Sequence, residues 1–271
     1  MSRVATLTSH LSLALATIGG IVAFLYPFLL AALGLEVPQQ RGVEMILLFA
    51  LLAITSLVVL LTQLTDEHFA QTERSRIVAL LAVLVAIDSV LRFIPSLIGA
   101  SPIFLLIIAS GCIFGTRFGF LMGSLTLLIS AALTGGIGPW LPFQMLSAGW
   151  MGATAGWLPR HSGRTRRFWL AAFGAFWGFL FGALMNLWFW PFAAPGVTES
   201  GGLYWTPGMS LSQTLHAYAR FYLTTSLLFD GTRALGNALL ALLLGEAVCQ
   251  ALERWRDRLG WRPWHELVAT D

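Results

Sequence analysis

Thr134-Gly-Gly-Ile-Gly-Pro-Trp-Leu-Pro-Phe-Gln144 sets three glycines, two prolines, an indole and an amide between two long apolar segments. In a membrane protein, backbone broken in this way survives only where it faces water or packed protein, because hydrocarbon cannot satisfy a free N–H or C=O. The run before it climbs a ladder of Gly111, Gly115, Gly119 and Gly123, and the run after it carries Gly149, Gly152 and Gly156. These segments read as built to pack closely around a shaped opening.

Composition carries the membrane assignment to the whole chain. Of 271 residues, 57% are hydrophobic and 11% charged, and the mean hydropathy is +0.76, which excludes an ordinary soluble domain. The apolar runs are about 17–25 residues long, the length that crosses roughly 30 Å of hydrocarbon as a helix. We expect eight spans near 11–35, 43–65, 77–98, 101–115, 118–136, 142–158, 168–192 and 221–248, the fourth a short one. The first is too long for a signal-peptide core and is expected to be retained. The polar stretch Asp66 to Arg76 divides the chain into a two-helix N-terminal extension (1–70) and a six-helix core (71–254), followed by a tail (255–271). The expected fold is thus an all-α integral membrane protein, a six-helix bundle with a two-helix extension.

All sixteen basic residues are arginine. With a cytoplasmic N-terminus, twelve of them fall inside, among them Arg3, Arg74, Arg117, Arg160, Arg166 and Arg262. Only Arg41, Arg92 and Arg220 fall outside, and Arg233 sits within a span. This positive-inside bias predicts that both termini are cytoplasmic. The Gly-Pro-Trp segment then lies outside, together with a long loop from about Ala193 to Arg220 that holds Pro195, Gly201, Trp205 and His216.

Four charges lie inside expected spans: Asp88 and Arg92 four apart, Asp230 and Arg233 three apart. Each costs about 2.5–3.5 kcal/mol to insert and so needs a partner or a cavity. Each pair shares a helical face, and at similar depths the four can cross-pair into a neutral cluster. Such a quartet either ties two helices together or lines a site where an arginine grips an anionic or carbonyl group. Asn186 and Asn237 are open to the same two readings, while Gln144 and Trp140, beside the broken outer turn, point more directly to a ligand. The ladder Gly174, Gly178, Gly182 and the earlier one are packing devices. Ala79, Ala82 and Ala86 form a small-residue stripe on the third span, away from Asp88 and Arg92, suited to a partner helix or an internal seam.

Other chemistries lack their residues. No Walker A loop, HExxH, GxSxG or Asp-rich diphosphate motif occurs. His10, His68, His161, His216 and His265 are scattered, and Cys112 and Cys249 form no CxxC or metal-ligand cluster. No metal or other cofactor is implied, and the short juxtamembrane arginine loops do not make a nucleic-acid surface.

Three segments together, Asp88-Ser-Val-Leu-Arg-Phe-Ile-Pro95, Phe114-Gly-Thr-Arg-Phe-Gly119 and Gly135-Gly-Ile-Gly-Pro-Trp-Leu-Pro-Phe-Gln-Met145, resemble the substrate-binding S component of energy-coupling factor (ECF) transporters, over roughly residues 75–250. The resemblance implies a six-helix membrane subunit with both termini cytoplasmic, binding a water-soluble vitamin or precursor in an outward-facing pocket capped by loops. It also implies a membrane coupling (T) subunit and two cytoplasmic ATPases as partners, with toppling to release the ligand, and Ala82-x-x-x-Ala86 matches the family's coupling surface. Cobalamin or a related corrinoid is the first candidate ligand. The expected ligand residues are Asp88, Arg92, Trp140, Gln144, Asn186, Asp230 and Arg233, and the expected partner face is Ala79, Ala82 and Ala86. The two extra N-terminal spans depart from the six-helix pattern. Two other readings remain open: a membrane scaffold without a ligand, and an intramembrane enzyme using Asp88 or Asp230 as acid or base.

Overall fold

The computed structural model describes residues 2–38, 42–64, 71–94, 101–159, 161–193 and 202–258. Arg41, Asp66, His68, Pro95, Arg160, Pro195, Gly201, Arg262 and His265 lie outside the described residues, as do the side chains of Arg3 and Arg74. Within the described residues the chain is helical: α1 (Ser2–Ala32), α2 (Val43–Leu64), α3 (Gln71–Leu91), α4 (Ile103–Phe114), α5 (Thr116–Thr134), α6 (Leu141–Ala155), α7 (Gly163–Phe189), a 3-10 turn (Trp190–Phe192), α8 (Leu211–Thr225) and α9 (Leu227–Arg258). Five helices, α1, α2, α5, α7 and α9, are long and apolar enough to cross a membrane, and α4 is a shorter apolar helix. The chain is an all-α, multi-pass membrane bundle.

Two boundaries differ from expectation for a physical reason. Hydropathy marks where a chain enters lipid, whereas helical hydrogen bonding continues into water. So α3 begins at Gln71, inside the expected polar hinge, and α9 runs to Arg258. The expected span 221–248 is also two elements, because the outer connection ends in α8. Its first turn is closed by a capping box in which Gln213 N–H donates to Ser210 Oγ and Ser210 N–H donates to Gln213 Oε1 at 2.8 Å.

The short α4 is buried along nearly its whole length, and α3, α5, α6, α7 and α9 pack around it. It turns into α5 through Gly115, whose φ of +89° is a conformation that residues with a Cβ rarely adopt. Between lipid-exposed helices there is little hydrophobic drive to associate, so close backbone approach decides which pairs form. The glycine ladders supply it. A methyl built on Gly119 would lie 2.1 Å from the Gly152 carbonyl oxygen of α6, and one on Gly152 would lie 2.0 Å from that of Gly119. Across α7 and α9 the antiparallel register sets Gly174 against Asn237, Gly178 against Ala234 and Gly182 against Asp230.

The N-terminal hairpin is docked on this core. Gly20 admits Leu146 of α6, Phe24 meets Phe143 edge-on at 4.9 Å, and Trp150 Nε1 donates to Thr17 Oγ1 at 3.1 Å. α2 lies against α3, α5 and α6. At the end that carries the 135–140 turn, a second apolar cluster joins Phe28 of α1 to Trp190, Trp205 and Phe221. Trp190, 1% exposed, donates its indole N–H to the Leu203 carbonyl at 2.8 Å.

Candidate substrate site

The expected ligand residues fall on three seams. On the first, α3 meets α5: Ser89 Oγ donates to the Thr126 carbonyl at 3.4 Å, and Arg92 Nη1 donates to Ser130 Oγ at 2.9 Å. Asp88 is fully buried between them. The Thr126 side chain faces its carboxylate, yet neither carboxylate oxygen nor the Thr126 hydroxyl has a hydrogen bond of good geometry among the described residues.

The second seam is the α7–α9 ladder. Asp230, 3% exposed, sits in the space left by Gly182 and pairs with Arg233 one turn on. Arg233 also donates to the Gly178 carbonyl at 3.3 Å and lies over the Phe181 ring, 5.6 Å from its centroid. Asn237 Nδ2 donates to the Gly174 carbonyl at 3.0 Å. Each missing glycine side chain thus exposes backbone or space that a polar group of α9 fills. From above, α8 directs Tyr222 at Asp230, and Tyr218 donates to the Ala183 carbonyl at 2.7 Å. Burial first, then the Asp230 charge, pushes the Tyr222 phenol up to about 12. Burial likewise pushes Tyr218 upward, so both remain neutral hydroxyl donors near neutral pH.

The third seam is the outer turn. Gly135, at φ +68°, ends α5, and Trp140 folds back so that its Nε1 donates to the Gly136 carbonyl at 3.2 Å. Its ring stands edge-on to Trp188 of α7, 6.3 Å between centroids. One turn into α6, Gln144 Oε1 is buried without a hydrogen-bond partner among the described residues. Asn186 Nδ2 donates to Ser226 Oγ at 2.7 Å, tying α7 to the α8–α9 corner.

The expected cross-paired quartet does not form among the described residues. α3 packs on α2, α4 and α5, whereas α9 packs on α4, α7 and α8, so the two charged pairs occupy separate seams. Asp230 and Arg233 pair with each other locally, Asp230 Oδ2 being left without a hydrogen bond of good geometry among the described residues, and Arg92 turns to Ser130 rather than to Asp88. The stripe Ala79, Ala82 and Ala86 is exposed on α3, opposite the face that buries Asp88.

Two features escaped the sequence reading. Arg166, counted there only as an inside arginine, is 3% exposed. It grips Glu246 with two bonds, Nη2 to Oε1 at 2.7 Å and Nε to Oε2 at 2.8 Å, and also pairs with Glu253. The signal was Glu246 itself, an acid inside the inner end of the expected last span. The second feature is a cavity of about 670 Å³ between α1 and α8, lined by residues that include Phe28, Trp190, Trp205 and Tyr218. None of the seven expected ligand residues lines it.

The chain matches the family model described as ECF transporter, substrate-specific component, across residues 76–245. No curated protein and no solved structure matches the chain. The matched region runs from α3 into α9 and contains all three seams, while α1 and α2 lie outside it. Because that match takes in well over half of the chain, the protein belongs to the substrate-specific components of ECF transporters, as a multi-pass membrane subunit.

Proposed function

We propose that this subunit captures a water-soluble vitamin or vitamin precursor at the end of the bundle bearing the Gly135–Gln144 turn. It then delivers the ligand through a membrane coupling subunit driven by two cytoplasmic ATPases. The subunit itself is a transport component, and ATP hydrolysis is left to its partners. The arginine distribution supports placing both termini in the cytoplasm and the turn outside. The exposed Ala79, Ala82 and Ala86 support α3 as the face that meets the coupling subunit.

The observation that carries ligand binding is Asp88. A buried carboxyl group whose oxygens make no hydrogen bond of good geometry is destabilising, since its desolvation is not offset, and a ligand that hydrogen-bonds it removes that cost. Gln144 Oε1 and Asp230 Oδ2 are further buried acceptors without a hydrogen-bond partner among the described residues, while Arg92 and Arg233 already have partners. The substrate that suits these groups carries hydrogen-bonding groups of its own, such as amides or hydroxyls. A corrinoid, whose periphery carries primary amides, is the first ligand to test.

The test is calorimetry on the purified protein against a panel of water-soluble vitamins that includes cobalamin and its precursors. One ligand is expected to bind, and Asp88→Asn should weaken it roughly 2- to 10-fold, the scale of one lost hydrogen bond. No binding across the panel, with stable membrane partners still recovered, would favour the scaffold reading. Turnover abolished by Asp88→Asn or Asp230→Asn alone would favour the enzyme.

A further inference from the structure

We propose that α1 braces the end of the bundle that carries the 135–140 turn, with Phe24 and Phe28 as positioning residues that hold the two walls of that end at a fixed separation. Its effect on ligand capture rests on the function proposed above, whereas the brace itself is a property of the unliganded protein. α1 lies outside the residues matched to the family, and both walls lie within them.

The register of α1 creates the brace. Thr17 meets Trp150, Gly20 meets Leu146 and Phe24 meets Phe143, so α1 runs antiparallel to α6 with contact residues three and four apart on one helical face. In that register α6 begins opposite about Tyr26, and α1 continues to Ala32, roughly 9 Å farther at 1.5 Å per residue. The next position on the same face is Phe28, past the start of α6. It meets Trp205 edge-on at 5.0 Å and Trp190 at 6.1 Å. Side-chain size follows the same division. Thr17 and Gly20 let α1 lie close against α6, whereas Phe24 and Phe28 add edge-to-face contacts, which are directional beyond the area they bury.

What the rings touch decides their consequence. Phe143 immediately precedes Gln144, and its ring lies 6.3 Å from that of Trp188, which in turn meets Trp140. Phe24 therefore fixes one wall, the start of α6 with its turn. The segment 202–210 is neither helix nor strand, so its position depends on side chains such as Trp205, 7% exposed, and on the Leu203 carbonyl that accepts from Trp190. Phe28 lies against both tryptophans and fixes this second wall. Because the two rings stand one turn apart on one helix, α1 sets the distance between the walls.

Hydrogen–deuterium exchange on the full-length protein in detergent, without ligand, tests the brace. Phe28→Ala should raise exchange over residues 203–209 roughly two- to tenfold, the scale of one aromatic contact, and leave residues 135–144 near the wild-type rate. Phe24→Ala should do the reverse. Leu13→Ala is the control: Leu13 is a buried residue of the same helix, about 22 Å from Phe28 along its axis. It should lower the melting temperature and leave both regions unchanged. If an alanine variant does not fold, Phe24→Leu or Phe28→Leu keeps the bulk, loses the ring edge and carries the same expectation. Unchanged exchange in both regions overturns the brace, as does uniform loosening of the kind that Leu13→Ala produces. Stopped-flow fluorescence with cyanocobalamin reads the effect on capture: Phe28→Ala should speed dissociation roughly two- to tenfold with little change in association. Unchanged dissociation beside raised exchange overturns the role in capture. If cyanocobalamin does not bind the wild type, the ligand reading fails for that vitamin, and the exchange pattern alone decides the brace.

Discussion

Gly182 of α7 lies so close beneath Asp230 of α9 that a methyl at 182 would stand 2.0 Å from each carboxylate oxygen. The glycine is therefore the space in which a buried carboxylate sits and turns to Arg233. Gly182→Ala should push Asp230 off that arginine and open the helix pair, at about 1–3 kcal/mol for overpacking. Thermal unfolding in detergent should show a lower melting temperature. Gly42→Ala, where nothing lies within 4 Å, should leave it unchanged. Equal melting temperatures for both variants would mean that the ladder does not set the α7–α9 approach.

Arg166 makes the same helix pair depend on charge at its other end. Removing it by Arg166→Met leaves Glu246, 5% exposed, without its bidentate partner, a change of about 3–5 kcal/mol for a broken buried pair. The double variant Arg166→Met/Glu246→Met should recover most of that loss, because hydrophobic replacement of both partners removes the unpaired charge. Glu253 is partly exposed and can turn to water. Thermal unfolding of the two single variants and the double variant checks this, and a double variant no more stable than Arg166→Met refutes it.

The two seams show what a sequence can disclose about this kind of fold. The helical membrane bundle, the short fourth helix and the packing role of the glycines are legible because they follow from the hydrocarbon thickness and from the missing Cβ atoms. Gly119 and Gly178 could be assigned to close helix contacts before their partners were known. Which charge meets which is different. Asp88 and Arg92 share a helical face by spacing, but Arg92 pairs across to Ser130, and the neighbour of α3 is set by packing that spacing does not encode. α8 was readable in principle from Ser210-x-x-Gln213. Gly201, Gly202 and Pro207 just before it nevertheless give the stretch the composition of a loop.

Trp140 pins the outer turn by one hydrogen bond and one ring contact. Trp140→Phe keeps an aromatic edge near Trp188 and loses the bond to Gly136, worth about 1 kcal/mol. Trp140→Ala also loses the ring contact, a further 0.5–1.5 kcal/mol or about that. The expected order of ligand affinity is wild type, then Phe, then Ala, measured by calorimetry with the vitamin that binds. If both variants keep full affinity while losing melting temperature, Trp140 is a structural pin remote from the ligand.

Ser210 is the last test, and it separates α8 from the spanning helices around it. Its hydroxyl and the Gln213 amide close two free N–H groups at the start of a helix whose exposed face leaves it little other support. Ser210→Ala should cost about 1 kcal/mol, which is roughly a fivefold rise in hydrogen–deuterium exchange over the first turn of α8, where local opening controls exchange. The effect should stop short of Phe221, which the aromatic cluster with Tyr204 and Trp190 holds at the other end of the helix. Increased exchange along all of α8 and into α9 would instead mean that the cap, rather than the aromatic cluster, holds this helix on the bundle.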